Sequence, residues 1–425
     1  MSSTATQDDT GLYIAYGALM TMAVIPIYHG SIASLRGMKR PANAKKRQKT
    51  DSPLEDSDDE DETVSESLSS SDAWWFPVMG SAVLFSLYLV FRFVDKKYIN
   101  YLMTIYFSLI GCFAVAKTGL MFTKKLVPAS LVKGRIEKYR LTLSKKGKHL
   151  SHISFTVIHF FLLALSMVLT AYYIITKNWI ASNIFGFSFS VNAIQLLSID
   201  SFKTGIILLS GLFLYDIFWV FGTEVMVTVA KGFDAPIKVV WPRDIISYLF
   251  DSSVKEHGFT MLGLGDIVIP GIFVALCLRF DRHMAWNRNP VGEFRSTAFP
   301  KPYFRSCLIA YILGLATTML VMHVFHAAQP ALLYLSPACI LSSLLTAVIR
   351  GELKDLFAYT TEVEEDEEKK KSSAKDKQSD NEEGADQVST TASPDDEDYV
   401  AVDDDNKSPA TEKKTRSRSS KKKNK

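Results

Sequence analysis

The sequence predicts an all-α membrane protein with about nine transmembrane helices, its N-terminus in the lumen and its C-terminus in the cytosol. Three observations lead to this fold class. Apolar runs of about 20 residues recur along the chain, and such a run spans a hydrocarbon core of about 30 Å as a helix. The two long polar segments, residues 39–72 and 360–425, lie outside the series of runs. Basic residues concentrate in alternate loops, which is typical of cytosolic loops.

The first apolar run extends from Gly11 to Ala33. Acidic residues precede it, whereas seven basic residues follow it between positions 36 and 49. This charge distribution indicates an uncleaved transmembrane helix with its N-terminus outside the cytosol, and not a signal peptide. The further predicted spans are Trp74–Phe93, Ile99–Phe122, Ile153–Thr176, Ile180–Ile199, 204–226, 258–280, 306–326 and 330–349.

The charges in the loops support this topology. The loop 124–150 holds nine Lys or Arg residues and a single acidic one, Glu137, and the loop that follows the seventh span is also basic. Nine spans with a lumenal N-terminus place both loops in the cytosol, as the positive-inside rule requires. We interpret the loop 124–150 as a topology determinant that contacts anionic lipid, and not as a nucleic-acid site.

The predicted organisation has five parts. They are residues 1–38, a lumenal N-terminus with the first helix; 39–72, a disordered acidic cytosolic linker; 73–200, helices two to five with the basic loop; 201–355, helices six to nine; and 356–425, a disordered charged cytosolic tail. The two polar parts cannot bury enough apolar surface to fold alone. The tail ends in Lys422-Lys423-Asn424-Lys425, and its lysines match the dilysine signal for retrieval to the endoplasmic reticulum.

The loop between the sixth and seventh spans is the main lumenal segment. Two β-branched runs, 225–230 and 237–241, flank a turn that contains Gly, Asp and Pro. This pattern predicts a short hairpin. An irregular loop is the alternative that the sequence leaves open.

Asp216 and Asp266 each lie within a predicted apolar span. A carboxylate there costs at least about 2.5–3.5 kcal/mol on insertion scales, so both are candidate functional residues. They lie about 10 and 8 residues from the lumenal ends of two antiparallel spans, which corresponds to depths of roughly 15 and 12 Å. The two carboxylates can therefore meet and share one proton. In such a pair one carboxylate activates a water and the other protonates a carbonyl oxygen.

The neighbours of the aspartates suit this chemistry. Tyr215 offers a hydroxyl that can bond a carboxylate or a substrate. Gly263 and Gly265, on either side of Leu264, lack side chains, so another backbone can approach Asp266 closely.

A proline turn opens the ninth span at the lumenal end. The turn is Gln329-Pro330-Ala331-Leu332. Pro330 is expected to loosen the start of the helix and to leave backbone groups free to pair with an extended substrate. Such pairing suits a protease, because a helical peptide bond must unwind before water can attack it.

The three motifs resemble those of a known family. Tyr215-Asp216, Gly263-Leu264-Gly265-Asp266 and Gln329-Pro330-Ala331-Leu332 are similar to the YD, GxGD and PAL motifs of the presenilin and signal peptide peptidase family of intramembrane aspartyl proteases. The resemblance covers about residues 74–355. The lumenal N-terminus fits the signal peptide peptidase branch better than presenilin. The absence of a large glycosylated lumenal domain argues against the endosomal signal peptide peptidase-like branch.

The resemblance implies a presenilin-like fold and an endopeptidase of the endoplasmic reticulum membrane that cleaves transmembrane segments, typically remnant signal peptides and other type II membrane proteins. Asp216 and Asp266 would be the catalytic pair, residues 263–265 and Tyr215 would support the site, and residues 329–332 would position the substrate. The family needs no metal or cofactor. Its implied partners are the substrates, the lipid bilayer, a homo-oligomer and components of membrane-protein degradation.

Two other functions fit parts of the sequence. Membrane carboxylates also serve as proton relays, so the aspartates alone fit a proton- or cation-coupled transporter equally well. The matched depth of the pair and the Pro-Ala-Leu turn at the same end favour the protease, and we see no repeat symmetry between the two halves of the chain, which a transporter should show. A non-catalytic scaffold would give neither aspartate a role. The four cysteines all lie in apolar runs, which indicates buried reduced thiols and no metal-binding spacing.

Overall fold

The computed structural model describes most of the chain between residues 2 and 361. The described ranges are 2–38, 66–126, 138–145, 148–223, 235–243, 258–290, 297–325 and 329–361, with positions 225, 245, 248 and 294 between them. The predicted acidic linker up to position 65, the tail from position 362 and the dilysine pair Lys422 and Lys423 therefore lie outside the described residues.

Nine long helices dominate the described residues, in agreement with the nine predicted spans. They are α1 (Ser2–Ser34), α2 (Ser70–Phe93), α3 (Lys96–Leu126), α4 (Val157–Thr176), α5 (Trp179–Leu196), α6 (Phe202–Phe221), α7 (Gly265–Arg288), α8 (Pro302–Phe325) and α9 (Leu332–Arg350). A short 3₁₀ turn, Leu35–Gly37, follows α1, and a short helix α10 (Leu353–Ala358) follows α9. The predicted helical membrane fold is confirmed.

In the part of the chain that the structure describes, six short strands accompany the helices in three two-stranded sheets. They are β1 (Glu66–Leu68), β2 (Lys138–Lys145), β3 (Lys148–Thr156), β4 (Leu197–Ile199), β5 (Lys238–Pro242) and β6 (Phe259–Gly263). β1 pairs with β4 in parallel, whereas β2 with β3 and β5 with β6 pair antiparallel. The strand β2 and the first residues of β3 lie in the predicted basic loop 124–150, for which the sequence predicted no strand, and β3 continues into the predicted fourth span.

Three predicted span ends are wrong for the same reason. Residues 153–156, 197–199 and 259–263 were expected to be helical, and they form strand instead. Each of these segments is apolar and continues directly into or out of a helix. Apolar character alone does not distinguish a buried strand from a helix over so few residues. The seventh helix therefore begins at Gly265 and not near position 258.

The predicted lumenal hairpin is tested only in its second run, because most of the first run lies outside the described residues. The second of its two runs does form a strand, β5, but the partner of β5 is β6, with Val240 opposite Met261. Residues 226–234, which contain most of the first run and the turn, lie outside the described residues. The prediction paired only neighbouring runs within the loop. It did not include β6, because β6 lies at the start of the next predicted span.

The helix α7 forms the centre of the described bundle. Its residues from Pro270 to Arg282 are all buried, and it packs against helices α1, α5, α6, α8 and α9. Glycines permit the closest approaches: a Cβ at Gly271 would lie 2.5 Å from Cδ1 of Ile194, and one at Gly205 would lie 2.9 Å from Phe273. Helices α2, α3 and α4, in contrast, expose most of their large apolar side chains, as lipid-facing helices do.

Seven of the helices in the described part of the chain are long and apolar enough to span a membrane by composition alone. The two others are α5 and α7. The helix α5 contains two asparagines and a glutamine, and α7 carries Asp266, Arg279, Asp281 and Arg282. Both helices lie against other helices on several sides, so polar side chains within them are shielded from lipid. The lumenal and cytosolic sides assigned from charge remain predictions.

A network of charged groups joins α7, α8 and α9 at the end of the bundle farther from the predicted dyad. Asp281 accepts hydrogen bonds from the backbone N–H groups of Tyr303 and Phe304, at 3.2 and 2.9 Å, and so caps the start of α8. Glu352, just past the end of α9, pairs with Arg288 and Arg350. These contacts tie the ends of three core helices together.

Glu352 also accepts a hydrogen bond of 2.9 Å from the hydroxyl of Tyr303. Burial on its own would raise the pKa of this carboxyl. The hydrogen bonds from Tyr303 and Arg350, together with the positive charge of Arg350, outweigh burial and hold the pKa of Glu352 below its usual value.

Candidate active site

The helix α6 carries Asp216 on its buried face. Gly205, Leu209, Leu212, Asp216 and Trp219 recur at helical spacing and all lie in the interior, so Asp216 occupies a position where the pattern would otherwise place an apolar residue. Its side chain is 5% exposed. The residue lies five positions before the end of α6 at Phe221.

Asp266 is the second residue of α7, and a single residue, Leu264, separates this helix from the strand β6. The sequence analysis placed Asp266 well inside a continuous helix, and this placement is wrong because β6 occupies the expected first turns. The hydroxyl of Tyr311 on α8 donates to the backbone carbonyl of Asp266 at 3.3 Å. Asp266 is partly exposed, unlike Asp216. The first turn of α7 is therefore held by α8.

The two aspartates are brought together, as the sequence analysis expected. Helices α6 and α7 pack against each other and both contact α9, and the carboxylate of Asp216 lies within electrostatic range of that of Asp266. Burial of both groups near each other makes simultaneous ionisation costly. The arrangement can hold one proton between two carboxylates.

The Pro-Ala-Leu turn contacts this pair directly. The backbone N–H of Leu332 donates to Oδ2 of Asp216 at 3.2 Å, and α9 begins at Leu332. The carbonyl of Pro330 accepts from the N–H of Leu333, and that of Ala331 from the N–H of Leu335. The expectation that this turn leaves its backbone groups free is therefore wrong for these groups, because the first turn of α9 and Asp216 use them.

The other predicted site residues lie around the aspartates with different roles. A Cβ at Gly263 would lie 3.3 Å from Oδ2 of Asp266, whereas one at Gly265 would meet nothing within 4 Å. Leu264 donates its N–H to the carbonyl of Ile237 and accepts from the N–H of Val268. It therefore links the sheet to the first turn of α7. Of the two glycines, only Gly263 would crowd the carboxylate of Asp266 if it carried a side chain.

Tyr215 turns away from the pair and toward α2. Its ring packs over Gly80, where a Cβ would lie 3.7 Å from the tyrosine, and against Trp219. Among the described residues, no hydrogen bond joins its hydroxyl to either carboxylate. The helix α2 is held to α6 on both sides of this contact, by Ser70 with Thr204 and by Ser81 with Trp219. Gln329 precedes the turn and is partly exposed.

Two functional features were not found from the sequence. The strand β6 lies beside Asp266 inside an apolar run, and Tyr311 is one of many aromatic residues in apolar helices. Neither the strand β6 nor the role of Tyr311 is marked by a local sequence pattern. Within the part of the chain that the structure describes, no group of three or more His, Cys, Asp or Glu side chains is placed to hold a metal ion. The four cysteines are free and buried, as predicted.

Comparison with known proteins gives the family. A sequence profile of the signal peptide peptidase family matches residues 59–363. The chain belongs to this family. Human signal peptide peptidase is 41% identical over 353 residues, which cover 82% of this chain and 84% of the human protein. A probable intramembrane protease of Schizosaccharomyces pombe is 40% identical over 290 residues, which cover 68% of this chain and 83% of that protein.

Family membership confirms the resemblance on which the sequence analysis relied. The chain is a multi-pass membrane peptidase, and the predicted activity, cleavage of peptide bonds within the membrane, is that of its family. The transporter and scaffold alternatives have no support from these relatives. Peptidase chemistry must therefore come from a site within the helical bundle, and the pair of aspartates is the candidate that the geometry offers.

Proposed function

We propose that the chain is an aspartyl endopeptidase whose catalytic residues are Asp216 and Asp266. The observation that supports the proposal most directly is their juxtaposition, with Asp216 acting electrostatically on Asp266 at the meeting point of α6, α7 and α9. Two neighbouring carboxylates that share a proton can supply a base and an acid at the same time.

In the proposed reaction, the ionised carboxylate takes a proton from a water molecule as the water oxygen attacks the carbonyl carbon of the substrate. The protonated partner gives its proton to the carbonyl oxygen, which yields a neutral tetrahedral intermediate. The first carboxyl group, now protonated, then gives its proton to the amide nitrogen, the second takes a proton from a hydroxyl of the intermediate, and the C–N bond breaks. The products are a carboxylic acid and an amine, and the pair again holds one proton.

The edge of β6 offers a place to hold the substrate. Met261 and Gly263 alternate with residues that bond to β5, so their backbone groups point away from β5. Among the described residues, none forms a hydrogen bond to these groups. An extended segment can pair with this edge by strand addition, and Gly263 would hold it next to Asp266. This binding mode needs a substrate helix that unwinds locally.

The proposed substrates are remnant signal peptides and other type II membrane segments, in keeping with the names of the relatives. The proposed location is the endoplasmic reticulum membrane, supported by the terminal Lys422-Lys423 signal. We also propose a homo-oligomer and a contribution to membrane-protein degradation, both of which the family resemblance implies. Replacement of both lysines by alanine, followed by imaging of the full chain, tests the location: unchanged retention would contradict the use of this signal.

The test of the catalytic pair is cleavage of a signal-peptide substrate by the full chain in reconstituted vesicles. We expect Asp216→Asn and Asp266→Asn each to lower kcat at least about a hundredfold, the size of a lost acid–base contribution. The control is Asp95→Asn, because Asp95 is an exposed aspartate between α2 and α3. An aspartate variant that cleaves as fast as this control would contradict the proposal.

A further inference from the structure

The two edges of the β5–β6 sheet differ in what covers them. The backbone of Ile237 and that of Arg243 bond to the β6 side, so by the alternation of an antiparallel ladder Lys238, Val240 and Pro242 point their backbone groups to the other side. This outer edge of β5 is the only alternative to the β6 edge as a place for a third strand.

The helix α5 closes the outer edge of β5 with the side chain of Asn183. Its amide nitrogen donates to the carbonyl of Val240 at 2.7 Å, and its amide oxygen accepts from the N–H of Val240 at 2.9 Å. One asparagine thus makes the same pair of bonds to Val240 that a neighbouring strand would make. Pro242 has no N–H to offer.

A second contact keeps α5 close to the strand. Gly186, one turn after Asn183, allows β5 to approach: a Cβ there would lie 3.5 Å from Val239 and 3.9 Å from the carbonyl of Lys238. The same Cβ would lie 3.4 Å from Leu264, the residue between β6 and α7. The helix α5 therefore supports both the strand and the start of the helix that carries Asp266.

The outward backbone groups of Met261 and Gly263 on the β6 edge, in contrast, form no hydrogen bond with any residue that the structure describes. Met261 on this edge is 56% exposed, and Gly263 lies next to the carboxylate of Asp266. A substrate strand on β6 runs past the aspartates in a register that β6 sets. A shift of one residue in that register would bring a different peptide bond to the pair.

From these contacts we infer that Asn183 is a positioning residue that determines which peptide bond of the substrate is cut. It clamps the outer edge of β5 to α5, and so fixes the position of the β6 edge relative to Asp266. Asn183 touches neither aspartate, so its effect acts through the sheet. The inference rests on the proposed function, because it takes the two aspartates as the catalytic pair and β6 as the substrate edge.

Asn192 provides a matched control on the same helix. Its amide nitrogen donates to the carbonyl of Ala114 and to Oγ1 of Thr118, so it ties α5 to α3, away from the sheet. Replacement of Asn192 by alanine removes an interhelical asparagine of the same kind without releasing β5. Any effect of general loosening of α5 should be the same in both variants.

The experiment uses the full chain in vesicles with one membrane-spanning peptide of defined sequence. Mass spectrometry gives the share of each cleavage product, and kinetics give kcat and KM. For Asn183→Ala we expect products from neighbouring bonds to appear and KM to rise about twofold to tenfold, because substrate binding would then have to order a sheet edge that the two hydrogen bonds normally hold in place. For Asn192→Ala we expect the wild-type set of products.

Two outcomes would overturn the inference. One is a wild-type product distribution for Asn183→Ala, and the other is the same scatter of products for both asparagine variants. If the alanine variant does not fold, Asn183→Ser serves instead, because its neutral hydroxyl can keep at most one of the two hydrogen bonds to Val240. We then expect a smaller scatter, and an unchanged product distribution overturns the inference. Full activity of Asp216→Asn or Asp266→Asn would instead overturn the proposed function, so the two failures are distinct.

Discussion

The backbone N–H of Leu332 donates a hydrogen bond of 3.2 Å to Oδ2 of Asp216, although the two residues lie 116 positions apart in the sequence. The first residue of α9 therefore touches the carboxylate on α6. Because the donor is a backbone group, the bond depends on where α9 begins, and not on the side chain at position 332. The proline turn fixes that starting point, which gives the Pro-Ala-Leu motif a structural role beside any contact with substrate.

This geometry predicts that Leu332→Ala separates stability from activity. The side chain of Leu332 is 6% exposed, so its truncation should cost about 2–5 kcal/mol of unfolding free energy, whereas the N–H that bonds Asp216 remains. We expect kcat per folded molecule to stay within about threefold of wild type, since the bond itself is worth about 1 kcal/mol and is kept.

Leu335→Ala is the control for this prediction, because Leu335 is fully buried one turn later on α9. Thermal unfolding and single-substrate kinetics of both variants provide the check. A loss of kcat in Leu332→Ala that greatly exceeds the loss in Leu335→Ala would show that the side chain, and not the backbone, serves the site.

Tyr311→Phe should weaken catalysis without unfolding the chain. The change removes only the hydroxyl that bonds the carbonyl of Asp266. We expect kcat to fall about fivefold to tenfold, which corresponds to one hydrogen bond of about 1 kcal/mol, with little change in KM. Tyr101→Phe is the control, since Tyr101 is 69% exposed on α3. Equal kinetics for the two variants would mean that α8 does not hold the first turn of α7.

Gly263→Ala and Gly265→Ala should differ sharply although both glycines belong to one motif. A methyl group at 263 would crowd Oδ2 of Asp266 at 3.3 Å, whereas one at 265 enters open space. Displacement of a catalytic group by a fraction of an ångström to 1 Å can cost up to about a hundredfold in rate. We expect a large loss of kcat for Gly263→Ala and near wild-type kcat for Gly265→Ala, measured on one peptide substrate; similar losses in both would contradict this distinction.

Gly271→Ala should destabilise the centre of the bundle. The new methyl group would lie 2.5 Å from Cδ1 of Ile194, and overpacking of this kind costs about 1–3 kcal/mol. A second change, Ile194→Val, removes that Cδ1 and should recover part of the loss. Gly17→Ala on α1 is the control, because its Cβ would meet nothing within 4 Å. The check is the melting temperature of wild type, Gly271→Ala, the double variant and Gly17→Ala. If the double variant does not recover stability, this packing is contradicted.

Glu352→Gln should remove a pH-dependent contribution to stability. The pKa of Glu352 is held below its usual value in the folded chain, so its ionised form favours folding. The contribution is present above the unfolded pKa of about 4.3, and it is lost as the pH falls through the lower folded pKa. We expect wild type to melt above the variant at pH 7, with a difference that shrinks as the pH drops below about 4. A difference that does not depend on pH would point to packing alone.

Much of the fold could be predicted because a membrane restricts the choices. A run of about 20 apolar residues has few stable forms in a bilayer other than a helix, and nine such runs correspond to the nine long helices of the described residues. The meeting of Asp216, Asp266 and Leu332 could also be anticipated. The two aspartates are costly to place in a membrane, and they lie on neighbouring antiparallel spans. A proline turn lies at the same end of the bundle, and together these features indicate a shared site.

The pairing of β5 with β6 beside the site could not be predicted from the sequence. The strand β6 is apolar and short, and its partner β5 lies earlier in the same connection between α6 and α7. Neither length nor alternation separates β6 from the start of a helix. The roles of Asn183 and Tyr311 depend on atoms brought together by the fold. A single asparagine or tyrosine in an apolar helix has many possible partners, and the sequence does not select among them.

The burial of α7 has a consequence for how the protein is made. A helix with Asp266 near its start and Arg279, Asp281 and Arg282 in its last turns is a poor candidate for insertion into lipid alone, since each charge at the bilayer centre costs about 2.5–3.5 kcal/mol. We expect its insertion during synthesis to require the neighbouring helices α6 and α8. Chains released after Arg288 and after Phe325, each tagged at the end with a glycosylation acceptor, would test the requirement for α8: a correctly placed tag in the shorter chain would mean that α7 inserts without α8.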